Sequence, residues 1–427
     1  MPAEANGMAT LSTPNGDLDL EVVKATEGSS GMQLGKLLGQ TGMTTLDVGF
    51  VNTAACQSEI TFINGDEGIL RHRGYPIAQL AEKASFLEVS YILIYGEDPT
   101  PAQLQSFTES IMGETTLPEV ISPVLRAFPA ETHPMPVLSA GVSLFGTLGD
   151  DISIKDDKQI DLATARLLGR TPTLAAAIHR VRGGKDPIAP DASLGYVGNL
   201  LRMTFGEDYE ITDELVRALD MLLVLHADHE QNCSTSTVRM VGSSNAPLYA
   251  SIVGGINALY GPLHGGANQA VLEMLERIHS NEGGDATKYM DKVKNKEDGA
   301  KLMGFGHRVY KSYDPRAVIA KEFATDVLSK ANDPLLEIAQ ELEEKALADD
   351  YFVERKLYPN VDFYTGLIYR AMGFPTEMFT VLFALGRMPG WIAHWREQHS
   401  DPATKINRPR QVYVGATEKN FVPVSER

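Results

Sequence analysis

The run ITDELVRALDMLLVLHADHE, Ile211 to Glu230, is apolar on every side at its centre from Met221 to Leu225. A helix without a polar face has to be covered all round, so this stretch demands a shell of further helices. The chain supplies them. Thr212 is the expected N-cap of the central helix, and from Pro76 onward apolar residues recur at helical spacing. Phe86 to Ile94 reads as a buried helix that stops at Gly96, with Pro99 or Pro101 opening the next. Further helices are predicted at about 101–112, 117–128, 134–148, 160–182 and 191–205. Few strand patterns follow residue 75.

Before Pro76 the text differs. LDLEVV, TTLDVGFV and SEITFI are β-branched runs, and Asn64-Gly65 after the last of them is a hairpin signal. The fold class expected is therefore mainly α: a large and a small helical domain with a small β-containing N-terminal region. Residues 1–16, rich in Pro, Gly, Ser and Thr, read as a mobile N-terminus and 17–75 as the β-containing region. Polar text from Asn281 to Gly299 reads as an exposed connection. A break at Gly373-Phe374-Pro375 precedes a helix that Thr376 would cap through Leu385. Breaks near 280 and 373 bracket a smaller helical domain, 268–375, inserted into a large one formed by 76–267 and 376–427.

With 427 residues the chain exceeds what one core usually organises. Its net charge of −18 argues against nucleic-acid or anionic-membrane binding, which needs surplus Lys and Arg. A local basic cluster for a small anion remains compatible with that balance. No apolar run approaches the roughly 20 residues of a membrane-spanning helix. Two cysteines, Cys56 and Cys233, and a start without a signal-peptide pattern point to a reducing, cytoplasmic setting.

Several segments have polar and glycine content that core packing does not need. His226 and His229 in LHADHE lie at i and i+3, which would put them on one helix face. Their spacing matches no zinc-protease motif, and capping the buried helix is an alternative role for His226. In GPLHGGANQ, His264 stands between a Pro-containing turn and a Gly-Gly pair, where backbone can approach a ligand closely. In GFGHRVYKSYDPR, Asp314 and Pro315 start a helix with Arg316 in its first turn. A cation there opposes the helix dipole, which suggests an anion site. Asp362 in YPNVDFYTG sits among Tyr358, Val361, Phe363 and Tyr364, where desolvation would make it a stronger base; an ordinary N-cap is the alternative. GRMPGW and KINRPR add arginines, among them Arg387 and Arg408, in turn-like contexts suited to carboxylates.

Taken together, HADHE, GPLHGGANQ, GFGHRVYKSYDPR, YPNVDFYTG, GRMPGWIAHW and KINRPRQ resemble the blocks of the citrate synthases, in order and over almost the whole chain. The resemblance implies condensation of acetyl-CoA with oxaloacetate and hydrolysis of citryl-CoA to citrate and CoA. His264, His307 and Asp362 fall on the catalytic positions. His229, Arg316, Arg387 and Arg408 fall on positions that hold oxaloacetate or citrate, Arg408 on the one donated across a dimer interface. The backbone at Leu302, Met303, Gly304 and Gly306 and the side chain of Lys311, which replaces the arginine of some members, match the CoA contacts. Arg71 and Arg73 are further phosphate candidates. The resemblance implies no metal and no permanently bound cofactor, with acetyl-CoA as co-substrate. It also implies a homodimer, and the N-terminal region resembles the longer bacterial subgroup, whose members often form a trimer of dimers. 2-Methylcitrate synthase, using propionyl-CoA, is the nearest alternative. From other classes come a zinc hydrolase on His226 and His229, and a silent helical scaffold.

Overall fold

The computed structural model describes residues 5–148, 154–329 and 333–427, and within them the chain is mainly helical, with two three-stranded antiparallel sheets near its N-terminus. Its contacts group into two units, one formed by the segment up to Gln57 with Asn407–Arg427, the other by Ser58–Ile406.

In the first unit, strand Ala5–Thr13 pairs with Gly16–Val23, which pairs in turn with Gly31–Met32. Leu18 and Leu20 alternate inward with Leu37 to make a small apolar cluster, while Asp19 and Glu21 face out. This corrects the expected mobile N-terminus from residue 5 on: Pro14-Asn15 is the turn of a hairpin, and residues 1–4 lie outside the described residues. TTLDVGFV is likewise not a strand. Asp47 accepts hydrogen bonds from the Val51 N–H (3.1 Å), the Asn52 N–H (2.9 Å) and the Thr53 hydroxyl (2.5 Å), and this local turn outcompetes a ladder.

The second unit is built round the helix Asp213–His226, whose residues Met221 to Leu225 are wholly buried. The Thr212 side chain accepts from Leu215 N–H as the expected N-cap. Helices Ile77–Lys83, Phe86–Tyr95, Pro315–Ser329 and Phe379–Ser400 pack around it. Two polar residues splice this helix to its neighbours. Asp220 accepts the Phe86 N–H at the start of Phe86–Tyr95 (3.1 Å), and Arg217 donates to the Ala81, Glu82 and Ala84 carbonyls at the end of Ile77–Lys83.

Two helical readings need correction. Thr376 does not cap a helix: Thr376–Met378 is a single 3-10 turn, and the helix Phe379–Ser400 then runs through GRMPGW instead of breaking there. Asn281 to Gly299 contains the helix Ala286–Asn295, capped by Asp285 and burying Tyr289 and Met290. The second sheet, Thr61–Asn64, Ile69–His72 and Tyr75–Pro76, carries the expected hairpin at Asn64-Gly65. Its loop touches the His307 segment: Lys311 N–H donates to the Gly65 carbonyl (2.9 Å), and a Cβ on Gly65 would lie 2.2 Å from the Val309 carbonyl oxygen. Only glycine fits there.

Candidate active site

The core helix ends at His226, and the chain then turns through Asp228, His229 and Glu230, the last with φ +49°. His229 therefore does not share a helix face with His226. The His226 Nδ1–H donates to the Leu222 carbonyl (2.7 Å), and its ring packs on Phe383 with centroids 4.5 Å apart. The His229 ring packs on His307 (5.3 Å), and its Nε2 lies 3.2 Å from the Tyr310 hydroxyl. Among the described residues no group of three or more His, Cys, Asp or Glu converges as a metal cage.

The turn that carries His229 is fastened from both sides. Asp228 accepts from Glu230 N–H (3.1 Å) and meets His394 Nε2 (3.3 Å), and the Glu230 carboxylate accepts from Ile63 N–H on the second sheet (2.8 Å). Gly386 and Gly390 let the helix Phe379–Ser400 come this close. A Cβ on Gly390 would be 2.3 Å from the Ala227 carbonyl oxygen, which instead accepts the Gly390 N–H at 3.0 Å. Pro389 has no N–H, so the helix ladder is already interrupted at this point. Arg387 sits just before the interruption, wholly buried, its Nε donating to the His226 carbonyl (2.6 Å) and its guanidinium 4.9 Å from the centre of the Phe383 ring. Burial pushes its pKa down to about 10 against the attraction of Asp228, and its Nη1 is buried with no partner among the described residues.

His264 and His307 each have one ring nitrogen fixed by backbone. Ser234 N–H, in the first turn of helix Cys233–Gly242, points at His264 Nε2 (3.2 Å), and the Ser234 hydroxyl lies 2.9 Å from the same nitrogen. A nitrogen that accepts from a backbone N–H carries no proton, so the proton resides on Nδ1. The arrangement at His307 is inverted. Val309 and Tyr310 N–H donate to its Nδ1 (3.0 and 3.2 Å), which leaves Nε2 as the protonated nitrogen. Burial, reinforced by Arg387 near His264 and by Arg316 near His307, lowers both pKa values to about 4. Both rings are therefore neutral hydrogen-bond donors at physiological pH. His229 is held well below its ordinary value, by burial first and then by Arg316.

Arg316 and Asp314 form a buried pair, Nε to Oδ1 at 3.1 Å and Nη2 to Oδ2 at 2.9 Å. As expected, Asp314 also caps the helix Pro315–Ser329 through the Arg316 N–H (3.0 Å), and its Oδ2 accepts from Val361 N–H (3.1 Å). Burial is the strongest single influence and raises the Asp314 pKa, but the Arg316 charge, its hydrogen bonds and His307 together outweigh it and hold the carboxylate below its usual range. The Val361 bond fixes the start of helix Asp362–Ala371. Asp362 keeps part of its surface accessible, yet its Oδ1 is buried with no partner among the described residues. Burial lifts its pKa to about 6, opposed by Arg316 and, more weakly, by Arg387.

The sequence-derived residues thus separate into groups. His229, His264, His307, Arg316, Arg387 and Asp362 are linked by ring contacts, hydrogen bonds and shared fields. At the proposed CoA segment, the Gly304 carbonyl accepts from Asn360 N–H (2.9 Å), Gly306 N–H donates to the Tyr358 carbonyl (2.7 Å) and its carbonyl accepts from Asn360 Nδ2 (2.9 Å). Leu302 is buried beside them, and Met303 N–H meets the Met274 sulfur (3.3 Å). Lys311 is exposed, its Nζ on the Arg308 carbonyl (3.2 Å). Arg73 donates to the Leu93 carbonyl (3.0 Å) near the end of helix Phe86–Tyr95, a structural use. Arg408 is exposed and belongs to the other unit. The Tyr310–His229, Ser234–His264 and Asp228–His394 contacts escaped sequence reading because each joins residues remote in the chain. The position of Asp314, two residues before a helix-start arginine, was the one usable signal.

Residues 49–410 match the family model described as citrate synthase, C-terminal domain. The chain is 60% identical to citrate synthase 1 of Mycobacterium tuberculosis, covering all of both chains. It is 58% identical to the citrate synthase of Corynebacterium glutamicum, over all of this chain and 98% of that one. The crystal structure of citrate synthase from Pyrobaculum aerophilum superposes with a TM-score of 0.81 at 34% identity, covering 100% of this chain and 99% of the other. A ternary complex of carboxymethyl coenzyme A and oxaloacetate with the citrate synthase of Thermoplasma acidophilum superposes with a TM-score of 0.83 at 31% identity, covering 90% and 100%.

Proposed function

The chain belongs to the citrate synthase family and is an acyltransferase of that kind, and from that premise we propose that it condenses acetyl-CoA with oxaloacetate and hydrolyses citryl-CoA to citrate and CoA. The observation that carries this reading is the combination of two neutral histidine donors, each with its tautomer set by backbone N–H groups, and the buried Asp362 Oδ1, which has no partner among the described residues.

Asp362, with its pKa near 6, takes a proton from the acetyl methyl group as that C–H bond breaks. The Nδ1–H of His264 hydrogen-bonds the thioester oxygen and stabilises the enolate, a task for a preorganised neutral donor. The enolate carbon bonds to the ketone carbon of oxaloacetate while the Nε2–H of His307 polarises and protonates the ketone oxygen. Water oxygen then bonds to the thioester carbon, the C–S bond breaks, and CoA leaves as the thiol. The methyl proton and the two water protons restore His307, complete the thiol and leave one proton for solvent. No bound cofactor enters this sequence.

Arg316, Arg387 and His229 are the expected carboxylate ligands of oxaloacetate, the Arg387 Nη1 being a buried donor with no partner among the described residues. The CoA contact rests mainly on Lys311 and the Leu302–Met303 backbone, since internal bonds engage Gly304 and Gly306. Residues 268–375 form the small domain that closes on the large one when oxaloacetate binds. Arg408 serves the site of a second copy, which makes a homodimer the working unit, alone or in a trimer of dimers.

Release of CoA thiol tests the reading. It should require oxaloacetate and favour acetyl-CoA over propionyl-CoA, although one methylene separates the two donors by only about 1–3 kcal/mol. Preference for propionyl-CoA would assign 2-methylcitrate synthesis, and no release from either donor would overturn the proposal. Inactive Arg408→Ala and Arg316→Ala chains should recover part of the activity when mixed dimers form; verified mixed dimers without activity would exclude a role in trans.

A further inference from the structure

Glu343, on the helix Pro334–Ala348, is a 2% exposed carboxylate that none of the steps above uses. Three donors converge on it. The Tyr313 hydroxyl donates to Oε1, the Tyr364 hydroxyl donates to Oε2, and Lys321 Nζ lies 2.9 Å from Oε2.

Each donor comes from a segment that carries an active-site group. Tyr313 ends the loop that begins at His307, and it directly precedes Asp314, the partner of Arg316. Tyr364 lies in the first turn of helix Asp362–Ala371, two residues after Asp362. Lys321 belongs to Pro315–Ser329, the helix opened by Arg316. Burying a carboxylate is expensive, and an apolar side chain of similar size often stabilises a core as well or better. What an apolar residue cannot supply is direction: two hydroxyls and an ammonium aimed at two oxygens set distances between the segments that bear them. Burial and the adjacent carboxylate both push the tyrosine pKa values upward, so both hydroxyls stay protonated donors.

We propose that Glu343 is a positioning residue for the reaction, a side-chain anchor that works with the Asp314–Val361 bond to set the His307 loop, Arg316 and Asp362 at their working separation. The role rests on the condensation reading above. Its effect should appear in turnover, because a misplacement of about 1 Å can cost roughly a hundredfold in rate. Oxaloacetate affinity should suffer less, since Arg387 and His229 are held from Phe379–Ser400 and the 227–230 turn.

The test compares Glu343→Gln, Tyr364→Phe and Tyr313→Phe with wild type, measuring kcat, KM, melting temperature and the isotope effect with trideuterioacetyl-CoA. Glu343→Gln keeps the shape and loses the charge; kcat should fall about ten- to a hundredfold with a smaller change in oxaloacetate KM. Tyr364→Phe frees the Asp362 side of the anchor, so its isotope effect should rise as C–H cleavage becomes slower. Tyr313→Phe frees the His307 side and should lower kcat without that rise. Wild-type kcat and isotope effect in Glu343→Gln would overturn the proposal. So would a fall in melting temperature and kcat together in all three variants with an unchanged isotope effect, the outcome of a purely structural role. If Glu343→Gln fails to fold, the two single-oxygen deletions decide by the same criteria. Absence of oxaloacetate-dependent thiol release in wild type would instead refute the underlying reaction, a separate result.

Discussion

At the scale of single residues, the chemistry depends on conflicts between burial and charge. Asp362 is ordinarily an acid of pKa 3.8, and burial raises it to about 6, against the pull of two arginines. Between those values the native state holds a proton that the unfolded chain has released, so stability falls as pH rises through that window. Above it the ionised carboxylate remains a standing destabilisation. Asp362→Asn should therefore lose several orders of magnitude in kcat and raise the melting temperature, with a larger gain at pH 8 than at pH 5. An equal gain at both values would mean that burial is not what perturbs this group. Wild-type kcat/KM should fall on the acid side with an apparent pKa of about 6 that the histidines, already neutral, do not supply. His264 and Asp362 stood out in the sequence because glycines or aromatics flank them. What could not be read there is which nitrogen of His264 carries its proton, because Ser234, thirty positions away, decides it.

At the scale of elements, the helix Phe379–Ser400 shows why local rules misread part of the site. Gly386, Pro389 and Gly390 look like a turn because each punctuates regular structure in isolation. In the fold they are what lets one helix press onto the end of another: Gly386 admits the Leu223 backbone and the His226 Cβ, Gly390 admits the Ala227 carbonyl, and the proline directly precedes the Gly390 N–H that donates to Ala227. TTLDVGFV is the reverse case, a strand pattern overruled by the single carboxylate of Asp47. The central helix and its cap were legible because they needed only their own residues. Gly390→Ala tests the close approach. Its Cβ would meet the Ala227 carbonyl oxygen at 2.3 Å and Asp228 Oδ1 at 2.5 Å, so about 1–3 kcal/mol of stability should be lost. Oxaloacetate KM should rise too, because His229 follows directly. Gly113→Ala is the control: among the described residues nothing beyond its own helix backbone and chain neighbours lies within 4 Å of the added Cβ at the end of helix Pro101–Gly113, and a neutral or slightly higher melting temperature is expected. Equal effects of the two substitutions would show that the contact at Ala227 yields easily.

At the scale of the molecule, an excess of acidic residues and a net charge of −18 suggest that acid sensitivity should be a matter of carboxylates. The fold points elsewhere. His72, His226, His229, His264 and His307 are all held neutral by burial, His72 and His264 to about 4 and His226 to about 3. For these groups the unfolded chain binds protons first, near 6.5, so each removes stability as pH falls from there toward its native value. Asp220, Glu230 and Asp362, raised to about 6, 7 and 6, act in the opposite sense over much of the same range. Five depressed histidines in one buried neighbourhood outweigh three elevated carboxyls. Asp228 and Asp314, held low by their partners, add their losses only under more acidic conditions. The urea midpoint should therefore decline between pH 7 and pH 5, before ordinary carboxylates titrate. Replacing His72, whose Nδ1 meets the Thr61 hydroxyl at 3.0 Å, by the non-titrating Asn should flatten part of that decline while lowering the midpoint at pH 7. A midpoint that is level or rises from pH 7 to pH 5 would mean that the elevated carboxyls dominate and that the histidines titrate much nearer their ordinary value.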